Sequence, residues 1–129
     1  VSLQKDVPSA DSETLRGFEQ LLNVSEQLRT FADTAALISQ LDLVISVDTS
    51  VAHLAGALAT PVWIALPFTP DWRWQMNRSD CPWYPQARLF RQAVRGDWKA
   101  VVDGLRMALD AWPLGCAVAP RTESTSVAP

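Results

Sequence analysis

The sequence lacks the features that direct a protein to a membrane or to secretion. No apolar run approaches the roughly 20 residues that a membrane-spanning helix needs. The opening residues VSLQKDVPSA do not have the basic-then-apolar order of a signal peptide. Only two cysteines are present, Cys81 and Cys116, and their separation indicates neither a disulfide framework nor a metal site. These absences predict a cytoplasmic protein with no membrane span.

An excess of basic residues is also missing. Eleven Lys and Arg residues against fourteen Asp and Glu residues give a net charge of −3 at pH 7, and no basic stripe is visible. Nothing in the sequence therefore favours nucleic acid as a partner. No internal repeat is visible either. A chain of 129 residues, of which 48% are hydrophobic, suffices for one domain with its own core but not comfortably for two.

Strand and helix patterns alternate along the chain. Helical spacing is present in residues 11–22, in 31–41 with Asp33 as the candidate N-cap, from Ser50 to Ala59, and in 97–112. The runs that predict strands are VSLQ (1–4), LDLVISVD (41–48), VWIAL (62–66) and RLFRQ (88–92), with LLNV (21–24) as a further candidate. This alternation predicts an α/β fold, a Rossmann-like parallel sheet with right-handed crossovers and flanking helices. Residues 113–129 have no periodicity and are predicted to be a disordered tail.

Polar residues are concentrated where one predicted strand passes into a helix, in DTSVAHLAGA (48–57). Ligands of open parallel sheets bind at the carboxyl ends of the strands, which is where Asp48 to Ser50 lie. The first N–H groups and the positive dipole end of the helix suit a phosphate. The chain's single histidine, His53, falls away from the apolar face formed by Val51, Leu54, Ala55 and Leu58. The alternative is an ordinary helix cap followed by a surface histidine.

The stretch DTSVAHLAGALATPVW resembles the nucleotide-sugar-binding motif of heptosyltransferase-like glycosyltransferases. These enzymes have two Rossmann-like lobes in the GT-B arrangement and carry an Asp-Thr/Ser-Gly/Ser-x-x-His signature in the C-terminal lobe. FADTAALISQLDLVISVDTSVAHLAGA, LPFTPDWRW, CPWYP and RLFRQ are similar to the same lobe in bacterial tetratricopeptide-repeat proteins. The resemblance covers residues 1–112 and implies the C-terminal half of a GT-B fold, possibly an incomplete one.

The resemblance implies that Asp48, Thr49, Ser50 and His53 surround the diphosphate or ribose of a nucleoside-diphosphate sugar. Gln4 and Lys5, at the end of the first predicted strand, are expected to join them, although Lys5 is equally compatible with a solvated side chain. Ser50 stands where heptosyltransferases usually have glycine. No cofactor and no metal are implied, because helix N–H groups, Lys5 and His53 could stabilise the departing diphosphate.

The function that the resemblance implies is donor binding within a glycosyltransferase of the hexosyl- or heptosyltransferase type. The acceptor and the catalytic base are not assigned, because family members usually supply them from the other lobe, which is not in this sequence. The isolated chain is therefore expected to be inactive. The alternative function is a degenerate, non-catalytic scaffold or protein-interaction module.

The resemblance implies that VSLQ is the second strand of the lobe. In the Rossmann strand order 3-2-1-4-5-6, the first strand would lie between VSLQ and LVISVD, and this sequence does not contain it. The two flanking strands are then expected either to pair directly or to leave exposed apolar edges through which chains self-associate.

The aromatic residues of the segment PFTPDWRWQMNRSDCPWYP leave two interpretations open. Trp72, Trp74, Trp83 and Tyr84 could stack on a sugar or base. We favour the alternative, in which the prolines fix a structural loop that packs over the edge of the sheet.

Overall fold

The computed structural model describes residues 1–4 and 7–112; Lys5 and the predicted disordered tail lie outside these ranges. The helices are α1 (Ser9–Arg16), α2 (Phe31–Ile38), α3 (Ser50–Ala57) and α4 (Trp98–Asp110). The strands are β1 (Val44–Val47), β2 (Val62–Leu66) and β3 (Ala87–Arg91), and one 3₁₀ turn spans Trp72–Trp74.

The three strands form a parallel sheet in the order β1-β2-β3. Val44 of β1 lies opposite Val62 of β2, and Val62 lies opposite Ala87 of β3. Helix α3 connects β1 to β2 and packs against both strands. The predicted α/β, Rossmann-like arrangement with flanking helices is confirmed, and it is consistent with part of a GT-B fold.

The core lies between this sheet and the helices α2 and α3. All five residues of β2 are buried, which fits a central strand covered on both faces. On one face, Val62 and Ile64 pack with Ala52 and Ala55 of α3 and with Ile38 of α2. On the other face, the Trp63 ring contacts the rings of Phe90 and Trp112, at centroid distances of 5.4 and 5.3 Å.

The amino-terminal predictions are only partly correct. VSLQ and LLNV form no extended strands but meet in a single parallel bridge between Ser2 and Asn23. Helix α1 ends at Arg16 instead of continuing to residue 22, and Phe18 and Leu22 remain 61% and 60% exposed. Their helical spacing was misleading because no element of the described chain covers them.

The boundaries of α2 and α3 also differ from the prediction, and α2 ends at Ile38 instead of continuing to residue 41. Thr30, not Asp33, is the N-cap of α2. The Thr30 hydroxyl accepts the backbone N–H of Asp33, and the Asp33 carboxylate accepts the backbone N–H of Thr30, so the two residues form a capping box. These hydrogen bonds from Thr30 lower the pKa of Asp33. Helix α3 ends at Ala57, two residues early, because Ala59 adopts a left-handed φ of 56° before Pro61.

The edge of β1 is open. Within the described ranges no strand pairs with this edge, so the expected direct pairing of VSLQ with β1 is not present. A cleft of about 800 Å³ lies there instead, lined by residues 1–4, by 28–31 with Thr34, and by β1. Ile45 and Val47 on this strand are 46% and 51% exposed.

Candidate functional site

The candidate site is the junction between β1 and α3, at the carboxyl end of the sheet. Asp48 follows the last residue of β1, Thr49 occupies the N-cap position, and Ser50 begins α3. The extended conformation of Thr49, with φ −140° and ψ 170°, is the usual one for an N-cap. The backbone therefore turns from strand to helix within two residues, and it presents the start of α3 at the sheet edge where ligands of such folds bind.

No side chain caps the start of α3. The Thr49 hydroxyl lies 3.1 Å from the Ser46 hydroxyl rather than against the backbone of the first helical turn. In the described part of the chain, the N–H groups of Ser50 and Val51 donate to no acceptor, whereas those of Ala52 and His53 donate to the Thr49 carbonyl at 3.0 and 3.4 Å. The helix therefore presents unpaired donors and its positive dipole end.

His53 is held beside this helix start by two aromatic residues. Its Nδ1 lies 3.0 Å from the Tyr84 hydroxyl oxygen, and its ring stacks on the fully buried Trp74 at a centroid distance of 4.9 Å. Its Nε2 lies 3.7 Å from a carboxylate oxygen of Asp48, beyond ordinary hydrogen-bond length. The His53 and Asp48 side chains are 31% and 28% exposed, so both remain accessible to a ligand.

A glycine makes this arrangement possible. A Cβ atom on Gly56 would lie 2.4 Å from Cγ of Tyr84, which is far inside van der Waals contact. The Tyr84 ring therefore lies directly against the backbone of α3. From there its hydroxyl reaches His53, which lies three residues earlier on the same face of the helix.

Arg91, the last residue of β3, holds the aromatic loop against the sheet. Its Nη2 donates to the Trp74 carbonyl, and its Nε donates to the Arg78 carbonyl at 3.1 Å. Burial lowers the pKa of this guanidinium, which nevertheless stays charged because arginine titrates far above neutral pH. The loop that carries Trp74 is thus attached to a rigid strand.

The predicted site residues fall into two groups around the first turn of α3. Gln4, Thr49 and Ser50 line the cleft beside β1. Asp48 and His53 approach each other on the aromatic side. Lys5 lies outside the described residues, so its expected part in the site stays a prediction.

Sequence reasoning missed the role of Tyr84, and the apolar face that it predicted for α3 packs against the core but is too narrow. The buried residues of that helix are Ala52, Ala55 and Gly56, while Leu54 is only partly buried. His53 is accordingly part of a packed cluster rather than a side chain directed away from contacts. The glycine one turn after the histidine was the signal that a bulky group lies against this face.

The aromatic segment separates into inner and outer residues. Trp74 is fully buried, as the structural interpretation requires, and Tyr84 is partly buried against α3. Trp72 and Trp83 are 73% and 58% exposed on the outside of the loop. Among the described residues, no group of three His, Cys, Asp or Glu side chains could hold a metal ion. No helix in those ranges is long and apolar enough to cross a membrane.

Comparison with known proteins gives this geometry a context. A profile of glycosyltransferase family 9 (heptosyltransferase) matches residues 15–95, which is more than half of the chain. The chain belongs to glycosyltransferase family 9. The match includes all three strands, α3 and the aromatic loop, and therefore Asp48, Thr49, Ser50 and His53. Family membership supports a glycosyltransferase-type function.

The family 9 chain is also similar to a much longer protein. It is 34% identical over 77 residues to protein FlbA of Caulobacter vibrioides, an overlap that covers 60% of this chain and 13% of that protein. The chain therefore spans only a small part of the length of this relative. No solved structure matches the chain.

Proposed function

We propose that this chain is the nucleotide-sugar-binding, C-terminal lobe of a GT-B glycosyltransferase, and that the donor's diphosphate binds at the start of α3. One observation carries the proposal: this helix start has no side-chain cap and presents the unpaired N–H groups of Ser50 and Val51. If the Asp-Thr-Ser sequence were only a cap, a side chain would accept a hydrogen bond from the N–H of Val51 or Ala52, and none does.

Each group at the junction suits one part of a nucleoside-diphosphate sugar. The N–H groups and the hydroxyls of Thr49 and Ser50 would donate to phosphate oxygens, and the helix dipole would favour the negative charge. His53 would donate from Nε2. The Asp48 carboxylate accepts hydrogen bonds only, so it would bind a hydroxyl of the ribose or the sugar.

The cleft next to these residues is large enough for the rest of the donor. Its volume of about 800 Å³ lies within the range of small-molecule sites, roughly 300–1,000 Å³. Gln4 lies on its wall together with Thr49 and Ser50. We expect Lys5 to add an ammonium next to the diphosphate.

Sugar transfer would use these groups to stabilise the diphosphate as negative charge develops on it in the transition state. We propose that neither a metal nor a cofactor takes part. The acceptor and the general base would come from another lobe of a larger cytoplasmic protein, one with tetratricopeptide repeats.

Binding of a panel of nucleotides tests the proposal. Isothermal titration calorimetry should give measurable affinity for nucleoside diphosphates and nucleoside-diphosphate sugars, and none for the matching nucleosides, because the diphosphate makes the main contacts. His53→Gln should weaken nucleoside diphosphate binding. Equal affinity for nucleosides and nucleoside diphosphates would refute the diphosphate site.

The open edge of β1 supports a second candidate function, that of a non-catalytic scaffold or interaction module. Val44 donates its N–H to Pro61, immediately before β2, so the backbone groups of Ile45 and Val47 face the opposite edge. Their side chains are about half exposed. We propose that two chains associate by strand pairing along this edge.

A further inference from the structure

We infer that Tyr84 is a positioning residue that holds the His53 imidazole with its hydrogen on Nε2, directed toward Asp48 and the start of α3. The contact between the two side chains joins residues 31 positions apart in the sequence. The consequence for phosphate binding rests on the proposed function, whereas the position of the hydrogen can be measured without any ligand.

The acceptors around the imidazole decide where its hydrogen lies. The Asp48 carboxylate lies 3.7 Å from Nε2, too far for a hydrogen bond, but its negative charge favours a hydrogen on the ring nitrogen that faces it, and that nitrogen is Nε2. In the neutral ring, Nδ1 then carries a lone pair and accepts the hydroxyl hydrogen of Tyr84 at 3.0 Å. The 3.7 Å gap to Asp48 leaves the Nε2 hydrogen available to a phosphate oxygen placed beside it.

The Tyr84 hydroxyl also selects the orientation of the ring. The stack on Trp74, with planes 23° apart, fixes the plane of the imidazole but not which edge faces Tyr84. A half-turn about χ2 would exchange Nδ1 with a carbon and break the hydrogen bond to Tyr84. Gly56 brings the tyrosine close enough for this selection, because a Cβ atom at that position would overlap its ring.

Nuclear magnetic resonance tests the inference directly, because His53 is the only histidine in the chain. The ¹⁵N shifts of its ring are recorded without ligand at about pH 8.5, where an imidazole is ordinarily neutral. The wild type should show hydrogen on Nε2 and a hydrogen-bonded lone pair on Nδ1. Hydrogen on Nδ1 in the wild type would overturn the inference, even if no variant folds.

The variant Tyr84→Phe keeps the ring against Gly56 and removes only the hydroxyl. Its Nδ1 shift should move toward that of an unbonded nitrogen, and its affinity for inorganic pyrophosphate should fall about fivefold, the equivalent of one net hydrogen bond. The control Trp83→Phe alters the neighbouring exposed aromatic, which bonds to the Arg73 carbonyl instead of to His53, and should change neither value. An unchanged Nδ1 shift in Tyr84→Phe refutes the inference.

The two proposals can fail separately in this experiment. If pyrophosphate does not bind the wild type, the diphosphate site fails, while the ring shifts still decide whether Tyr84 positions His53. If pyrophosphate binds but the ring shifts show hydrogen on Nδ1, the diphosphate site stands and the role of Tyr84 is refuted.

Discussion

The two sides of the α3 start differ in how completely their residues are packed. On the aromatic side, Trp74 is fully buried, Tyr84 lies against Gly56, and His53 contacts both rings. On the cleft side, Ile45 and Val47 are about half exposed, and the edge of β1 has no strand partner within the described residues. Half of the candidate site is therefore preorganised, while the other half is open to a ligand or to another chain.

The difference in packing follows from which parts of the chain form each side. The aromatic side is formed by residues 44–91, which bring β1, α3, the loop and β3 together in one continuous stretch. The cleft side depends on a neighbour for β1, and the segment at residues 1–4 pairs with Asn23 through Ser2 instead. Variants on each side should therefore respond differently, and the following experiments test that difference.

The largest effect is expected on the aromatic side, from Trp74→Ala. Removing a fully buried tryptophan should lower the free energy of unfolding by about 3–5 kcal/mol, because it leaves a cavity under His53. Trp72→Ala, two residues away and 73% exposed, is the matched control and should change it by no more than about 0.5 kcal/mol. Urea denaturation measures both values. An equal loss of unfolding free energy in Trp74→Ala and Trp72→Ala would contradict the division into inner and outer aromatic residues.

A smaller effect on the free energy of unfolding is expected when two helix glycines are replaced by alanine, and the effect should have opposite signs at the two positions. Gly56→Ala should destabilise the fold by about 1–3 kcal/mol, because the methyl group overlaps the Tyr84 ring. Gly104→Ala in α4 meets only an ordinary contact, 3.7 Å from Phe90, and should stabilise the fold by about 0.5–1 kcal/mol through helix propensity. Thermal melts of both variants give the comparison. A stable Gly56→Ala protein would mean that Tyr84 does not lie where the structure has it.

On the cleft side, the change Ile45→Lys should leave stability almost unaltered, since the side chain is already 46% exposed. It should reduce self-association, because a charge on an open strand edge disfavours pairing with another chain. Analytical ultracentrifugation at several concentrations measures this. Phe68→Lys, at a residue 44% exposed outside the β1 edge, is the control and should leave association unchanged. If Ile45→Lys does not weaken self-association, the chains associate through a surface other than the β1 edge.

Local patterns in the sequence predicted much of the sheet. The apolar runs at β1, β2 and β3 and the polar junction at Asp48 are visible because each is a short, continuous signal. The ends of α1 and α2 were misplaced because capping and coverage decide them. Thr30, one residue before the predicted helix, caps α2, and nothing in the described chain covers Phe18.

The composition of the site was less predictable than its place. The approach of Tyr84 to His53 spans 31 residues, and no local period encodes such a contact. The absence of a cap on α3 also depends on the pairing of Thr49 with Ser46 rather than on residue type, since threonine is an ordinary capping residue. Tertiary contacts therefore decide whether this junction is only a helix start or a site.

Mapping of backbone amide shifts during titration with a nucleoside diphosphate tests the central claim most directly. The account predicts the largest shifts at Ser50 and Val51, whose N–H groups are unpaired at the start of α3. Trp98 and Ala100 at the start of α4 form an internal control, because their N–H groups already donate to the Gly96 carbonyl and to the Asp97 side chain, respectively. Shifts confined to the start of α3 would support a diphosphate site there. Equal shifts at α3 and α4, or none at Ser50 and Val51 with millimolar ligand, would contradict it.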